Sequence, residues 1–179
     1  MTGLVIWITG LPGSGKSTIA NGIKDRFQKF VVLRMDELRR VITPQPTYSE
    51  TERETVYRAI VYMAKTLSEL GHPVIIDATG NLKRWRELAR RLIPRYMEVY
   101  LKCSLKTCME REALRMNSHG APRDIYKKGL FGHPVPGLSA PYEEPDNPEA
   151  LIEIDTMSQG AALAAVIDKV AHSFNESVQ

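Results

Sequence analysis

Leu4-Val5-Ile6-Trp7-Ile8-Thr9-Gly10-Leu11-Pro12-Gly13-Ser14-Gly15-Lys16-Ser17-Thr18 is an apolar run followed at once by the spacing G-x-x-x-x-G-K-S. Leu4 to Ile8 read as a buried strand. The glycines let the backbone turn tightly and aim several N–H groups inward as an anion nest. Ile19, Ala20, Ile23, Phe27 and Phe30 then recur at helical spacing, so a helix presents its positive end to whatever the nest holds. This strand–loop–helix context is the one in which such a loop cradles nucleotide phosphates. Gly10, Leu11, Pro12, Gly13, Ser14, Gly15, Lys16, Ser17 and Thr18 are therefore the expected contacts of ATP. Lys16 should reach the β- and γ-phosphates, and the Ser17 hydroxyl should ligate Mg²⁺.

Outward from this loop, short apolar runs alternate with helical patterns. Val31–Leu33, Val74–Ile76, Val99–Leu101 and Leu151–Ile154 read as four more strands. Ser49 and Glu52 form a capping box that starts a helix with an apolar face of Val56, Ile60, Met63, Ala64, Leu67 and Leu70. Leu82, Trp85, Leu88, Ala89 and Leu92 stripe another helix. Leu105–Met116 and Ala162–Ala171 complete the set. The pattern predicts an α/β, P-loop NTPase fold: a five-stranded parallel sheet with helices on both faces. One domain covers residues 1–179. Residues 117–148, rich in Pro and Gly and without periodicity, read as a lid, with a passive insertion as the alternative.

Bulk properties exclude several classes. The 179 residues are 43% hydrophobic and 25% charged, as in a globular domain, and the net charge of +3 does not point to nucleic acid as a partner. No apolar run approaches the roughly 20 residues of a membrane span, and the start lacks a signal-peptide pattern. A cytoplasmic location is expected. Cys103 and Cys108 fit neither a disulfide framework nor a metal motif and read as reduced and structural. Histidines 72, 119, 133 and 172 read as structural or lid residues.

A parallel sheet binds ligands outside its C-terminal strand ends. Asp36, following the second strand, is placed to orient or deprotonate an acceptor hydroxyl or to hold a Mg²⁺-bound water; its alternative role is a helix N-cap. Asp77, following the third, could hold Mg²⁺ through water or simply shape the turn with Thr79 and Gly80. The arginines at 84, 86, 90, 91 and 95 read mostly as a solvated face, with Arg84 or Arg86 able to reach a substrate phosphate.

Two regions resemble the adenylylsulfate kinase family: Ile8–Thr18, and Gly137-Leu138-Ser139-Ala140-Pro141-Tyr142-Glu143-Glu144-Pro145-Asp146-Asn147-Pro148-Glu149, which is similar to the family's T-G-I-D-x-P-Y-E-x-P-x-N-P-E. Weaker likenesses lie at Met35–Arg39, at Tyr48-Ser49 with Arg53, at Cys108 with Arg111, and at Tyr126–Lys128. The resemblance implies ATP- and Mg²⁺-dependent phosphorylation of the 3′-hydroxyl of adenosine 5′-phosphosulfate. It implies Asp36 as the proton acceptor and Arg111 at the adenine of ATP. Arg39, Tyr48, Arg53, Lys127 and Leu138 are implied on the nucleotide acceptor, and a homodimer is compatible with it. The chain departs from the pattern at Arg34-Met35, Val56, Val135-Pro136 and Asp77-Ala78-Thr79. Those departures keep open a P-loop kinase for another nucleotide-linked or small-metabolite hydroxyl. A non-catalytic ATP-binding module is the alternative of another class.

Overall fold

A computed structural model describes residues 1–114 and 124–175. Its order is β1 (Val5–Thr9), α1 (Lys16–Phe27), β2 (Val31–Arg34), α2 (Met35–Ile42), α3 (Glu50–Glu69), β3 (Val74–Asp77), α4 (Lys83–Leu92), β4 (Tyr96–Lys102), α5 (Leu105–Ala113), α6 (Ile125–Leu130), β5 (Ala150–Glu153) and α7 (Gln159–Asn175). The five strands lie in the order β2-β3-β1-β4-β5, and every neighbouring pair is parallel. This is the α/β architecture that the alternation of runs predicts.

The central strands β1 and β3 are buried along their whole length and almost entirely apolar because both of their faces are covered. Ile6 and Ile8 join Ile19 and Ile23 of α1 and Val166 and Val170 of α7 in one core. Val5 and Trp7 point the other way, into a second core with Val56, Ile60 and Ala64 of α3 and Trp85 and Ala89 of α4. Tyr57 stacks between the two tryptophans, its ring 3.9 Å from Trp85 and 6.0 Å from Trp7. The edge strand β5 buries Ala150 and Ile152 but leaves Leu151 half exposed, as a strand covered on one face does.

Several expectations are corrected. In α3, Met63 and Leu70 are exposed, while Tyr57 and Val61 turn inward beside Val56 and Ile60. Ser49 caps that helix by accepting from the Glu52 amide, but the Glu52 carboxylate does not complete the box. It accepts instead from Thr47 and Arg39. In α4, Leu92 is exposed and Arg86 takes the inward position. The helix from Leu105 ends at Ala113; residues 115–123, including His119 and the start of the expected lid, lie outside the described residues. The remainder of that segment carries the short helix α6 and a bridge between Pro136 and Ala140.

Candidate active site

Parallel register brings the C-terminal ends of β1, β2 and β3 to one edge, with Arg34 directly opposite Asp77. Above this edge lies a cleft of about 620 Å³. Residues 12–18 form its floor. Arg34, Asp36, Arg39, Tyr48 and Arg53 line one part of it; Arg111, Ile154, Met157 and Gln159 line another. The cleft thus has a basic and aromatic end and a more apolar end, joined by the glycine loop.

The loop's conformation requires its glycines. Gly13 has φ +85° and lies so close to the Cys108 carbonyl that a Cβ would collide with it. Gly15, at φ +101°, is the left-handed residue from which α1 departs. Among the described residues the Ser14 hydroxyl is buried with no hydrogen-bond partner, and it can donate to an anion held in the nest. The Lys16 ammonium folds back on the loop, donating to the carbonyls of Gly10 (3.1 Å) and Leu11 (2.9 Å). Its burial lowers its pKa, opposed by the nearby charge of Asp77. Tyr126 braces the loop from α6 by donating to the Pro12 carbonyl at 2.7 Å.

Asp36 lies in the first turn of α2 and lines the cleft; the cap position belongs to Arg34, so Asp36 is not the N-cap. Asp77 is the last residue of β3, buried, with Arg34 Nε 3.7 Å away. On the basic side, Arg39 holds Glu52 at 2.8 Å and lies 5.0 Å from the centre of the Tyr48 ring. Arg53 donates to the carbonyls of Tyr48 (3.0 Å) and Pro134 (2.6 Å), so its guanidinium ties α3 to the segment before β5. Tyr48, at φ +57°, meets the edge of His133 at 4.6 Å.

Not every expected contact reaches the cleft. Lys127 is exposed and pairs with Asp124 at 3.3 Å, outside the lining residues. Leu138 packs against the core beside Gly129. Gly10 and Leu11 contribute through their carbonyls to Lys16. Arg84 pairs with Glu50 and Glu54, and Arg86 with Glu98, and neither lines the cleft. Val56 is a core residue of α3. Arg34, Tyr57, Thr79, Asn81 and Gln159 line the cleft without being singled out as contacts beforehand. The strand-end rule, applied to β2, would have found Arg34.

Most of the Gly137–Glu149 stretch is a strap rather than a cleft wall. The Tyr142 hydroxyl lies 2.9 Å from Thr9 Oγ1, and the Glu143 carboxylate accepts from the Lys83 amide at 2.6 Å. Glu149 pairs with Arg90 and accepts from the Glu98 amide at 2.6 Å. These contacts fix the β3–α4 loop, hence Thr79 and Asn81, to the rest of the sheet. Burial pushes the Glu149 carboxyl up, but hydrogen bonds from Arg90 and the Glu98 amide outweigh it and hold its pKa below 4.5. The ionised form is therefore favoured by folding, and its contribution disappears as pH falls from 4.5 through the folded value. We expect Glu149→Gln to lower the thermal midpoint at pH 7 and to lower it by less at pH 3. An equal deficit at both pH values would contradict this.

A phosphate-binding glycine loop on a parallel sheet, with a carboxylate and two arginines across the cleft, defines a P-loop phosphotransferase. Comparison with known proteins narrows the class. Residues 2–153 match the family model described as adenylylsulphate kinase. The chain is 36% identical to the probable adenylyl-sulfate kinase of Archaeoglobus fulgidus over 157 residues, covering 84% of this chain and 96% of that one. It is 37% identical to the adenylyl-sulfate kinase of Bacillus licheniformis over 158 residues, covering 83% and 75%. The structure superposes on the Mycobacterium tuberculosis APS kinase CysC in complex with AMPPNP and APS with a TM-score of 0.81 at 27% identity, covering 95% and 98%. The chain belongs to the adenylylsulfate kinase family.

Proposed function

We propose that this protein transfers the γ-phosphoryl group of ATP to the 3′-hydroxyl of adenosine 5′-phosphosulfate, yielding the 3′-phosphorylated sulfate donor and ADP. The observation that carries the reading is the pairing, in one cleft, of the loop residues Pro12–Ser17 with Asp36, Arg39, Tyr48 and Arg53. Family membership supplies the acceptor.

ATP lays its phosphates in the nest, with its adenine toward Arg111, Ile154, Met157 and Gln159. The acceptor lies at the other end. Arg39 and Arg53 face its 5′-phosphosulfate, and Tyr48 offers its ring to the base. Asp36 accepts the proton of the 3′-hydroxyl while that oxygen bonds to the γ-phosphorus and the bond to the β–γ bridging oxygen breaks. Lys16 swings from its loop carbonyls to the β- and γ-phosphates and stabilises the charge developing there. The described part of the segment 117–148, residues 124–148, serves as a lid that sheds water from the reacting groups, Lys127 approaching with it and Leu138 anchoring its base.

The residues present fit Mg²⁺. The Ser17 hydroxyl and the Asp77 carboxylate are hard oxygen donors lining the same cleft beside the nest, and Mg²⁺ takes one or two such ligands plus phosphate oxygens. Ser17 and Asp77 would hold it, and when bound it neutralises charge on the β- and γ-phosphates.

The test is ADP release with Mg·ATP across a panel of hydroxyl acceptors. Adenosine 5′-phosphosulfate is expected to turn over, and its 3′-deoxy analogue to give only background. Faster turnover of a simple polyol than of adenosine 5′-phosphosulfate would overturn the assignment.

A further inference from the structure

Arg34 stands where a kinase cleft has most need of positive charge, and its surroundings do not use it up. It is the last residue of β2, is 14% exposed in its side chain, and lines the cleft. One guanidinium nitrogen donates to the side chain of Asn21, which lies one helical turn after Ser17 on α1. The guanidinium therefore sits beside the start of α1, next to the floor of the nest. Among the described residues its Nε is buried without a hydrogen-bond partner. Asp77, its partner in strand register, lies 3.7 Å away, close enough for attraction and too far for a hydrogen bond. An ionised donor that is desolvated, unbonded and beside an anion nest is poised for an anionic oxygen.

We propose that Arg34 is a phosphate-binding residue of the donor site: its guanidinium meets the terminal phosphate oxygens of the nucleotide from the β2 side while Lys16 meets them from the loop. This rests on the reading that the Gly10–Ser17 loop holds ATP. A fixed guanidinium at this point supplies part of the counter-charge that Mg²⁺ otherwise provides. Arg34 should accordingly matter most when the metal is absent. Asn21 and Asp77 act as its holders, one by hydrogen bond and one by charge. Lysine could not replace it, because one compact ammonium cannot reach both Asn21 and the phosphate.

The experiment measures equilibrium binding of ATP, ADP and AMP to the parent chain, Arg34→Met, Arg34→Lys and Lys16→Ala, each in EDTA and in excess Mg²⁺, with thermal midpoints as a control for folding. Loss of one charged hydrogen bond predicts that Arg34→Met weakens ATP binding about tenfold or more in EDTA and by a smaller factor in Mg²⁺. Arg34→Lys should recover little of the loss. AMP affinity should change little, since it lacks the terminal phosphates. Undiminished ATP affinity in a folded Arg34→Met chain, or an equal loss for AMP, overturns the inference. A parent chain that binds no ATP, or a Lys16→Ala chain that binds it as tightly as the parent, overturns the phosphate-loop reading and this inference with it.

Discussion

Lys16→Ala lowers phosphoryl transfer to adenosine 5′-phosphosulfate by at least about 100-fold, the scale of losing one preorganised stabiliser of transition-state charge. Lys16 is the first residue of α1, and among the described residues its ammonium hydrogen-bonds to the carbonyls of Gly10 and Leu11. Those bonds hold a cation in place and contribute little to the fold. Burial lowers the Lys16 pKa, so the unfolded chain holds this proton more tightly than the folded one. The buried charge therefore opposes folding at neutral pH, and alanine should leave the thermal midpoint unchanged or raise it. Single-turnover ADP formation and a melting curve check the two halves separately. Transfer at the parent rate in the folded variant would sink the mechanism.

Arg86→Met has the opposite signature: a large loss of stability whose origin is not the cleft. Arg86 is 2% exposed and its Nε donates to Glu98 at 2.7 Å, with Glu98 itself 8% exposed. Its other nitrogens donate to the carbonyls of Gly80 and Glu143. One guanidinium thus satisfies a buried carboxylate on β4, the loop after β3, and the strap that ends in Glu149. Methionine fills much of the volume and satisfies none of them. Breaking a buried pair from one side costs about 3–5 kcal/mol, and the low end applies because Arg90 still reaches Glu98 at 3.3 Å. For a domain of this size that lowers the thermal midpoint by roughly 6–12 °C. Urea unfolding measures it, and the double variant Arg86→Met/Glu98→Met should regain much of the loss because no buried charge is then left alone. A single variant within 1 kcal/mol of the parent (roughly the worth of an exposed ion pair) would show the site to be solvated.

The two variants separate what was legible from what was not. Lys16 is legible because its role is set by a local spacing: glycines, a strand before and a helix after act over fewer than twenty residues. Strand identity was legible for the same reason, since β1 and β3 are apolar on both faces and read as continuous runs. Arg86 was not. Arg84, Arg90 and Arg91 lie on the same helix, and nothing in the spacing distinguishes the one that turns inward. Its fate depends on Glu98, twelve residues away on β4, and on the strap from residues 141–149. Family likeness drew attention to that strap, but likeness cannot tell a residue that touches substrate from one that locks a loop.

The sequence by itself determined the phosphate nest, the alternation of strands and helices, and the acidic residues at strand ends, because each follows from contacts within a few turns of chain. Only the tertiary structure decided the strand order, the burial of Arg86 with Glu98, and the placing of Arg34 between Asn21 and Asp77. Those depend on which strands become neighbours. β2 pairs with β3 across the intervening residues 35–73, and that pairing sets Arg34 opposite Asp77. Register in a sheet is a cooperative outcome of packing on both faces, and no local window of sequence contains it.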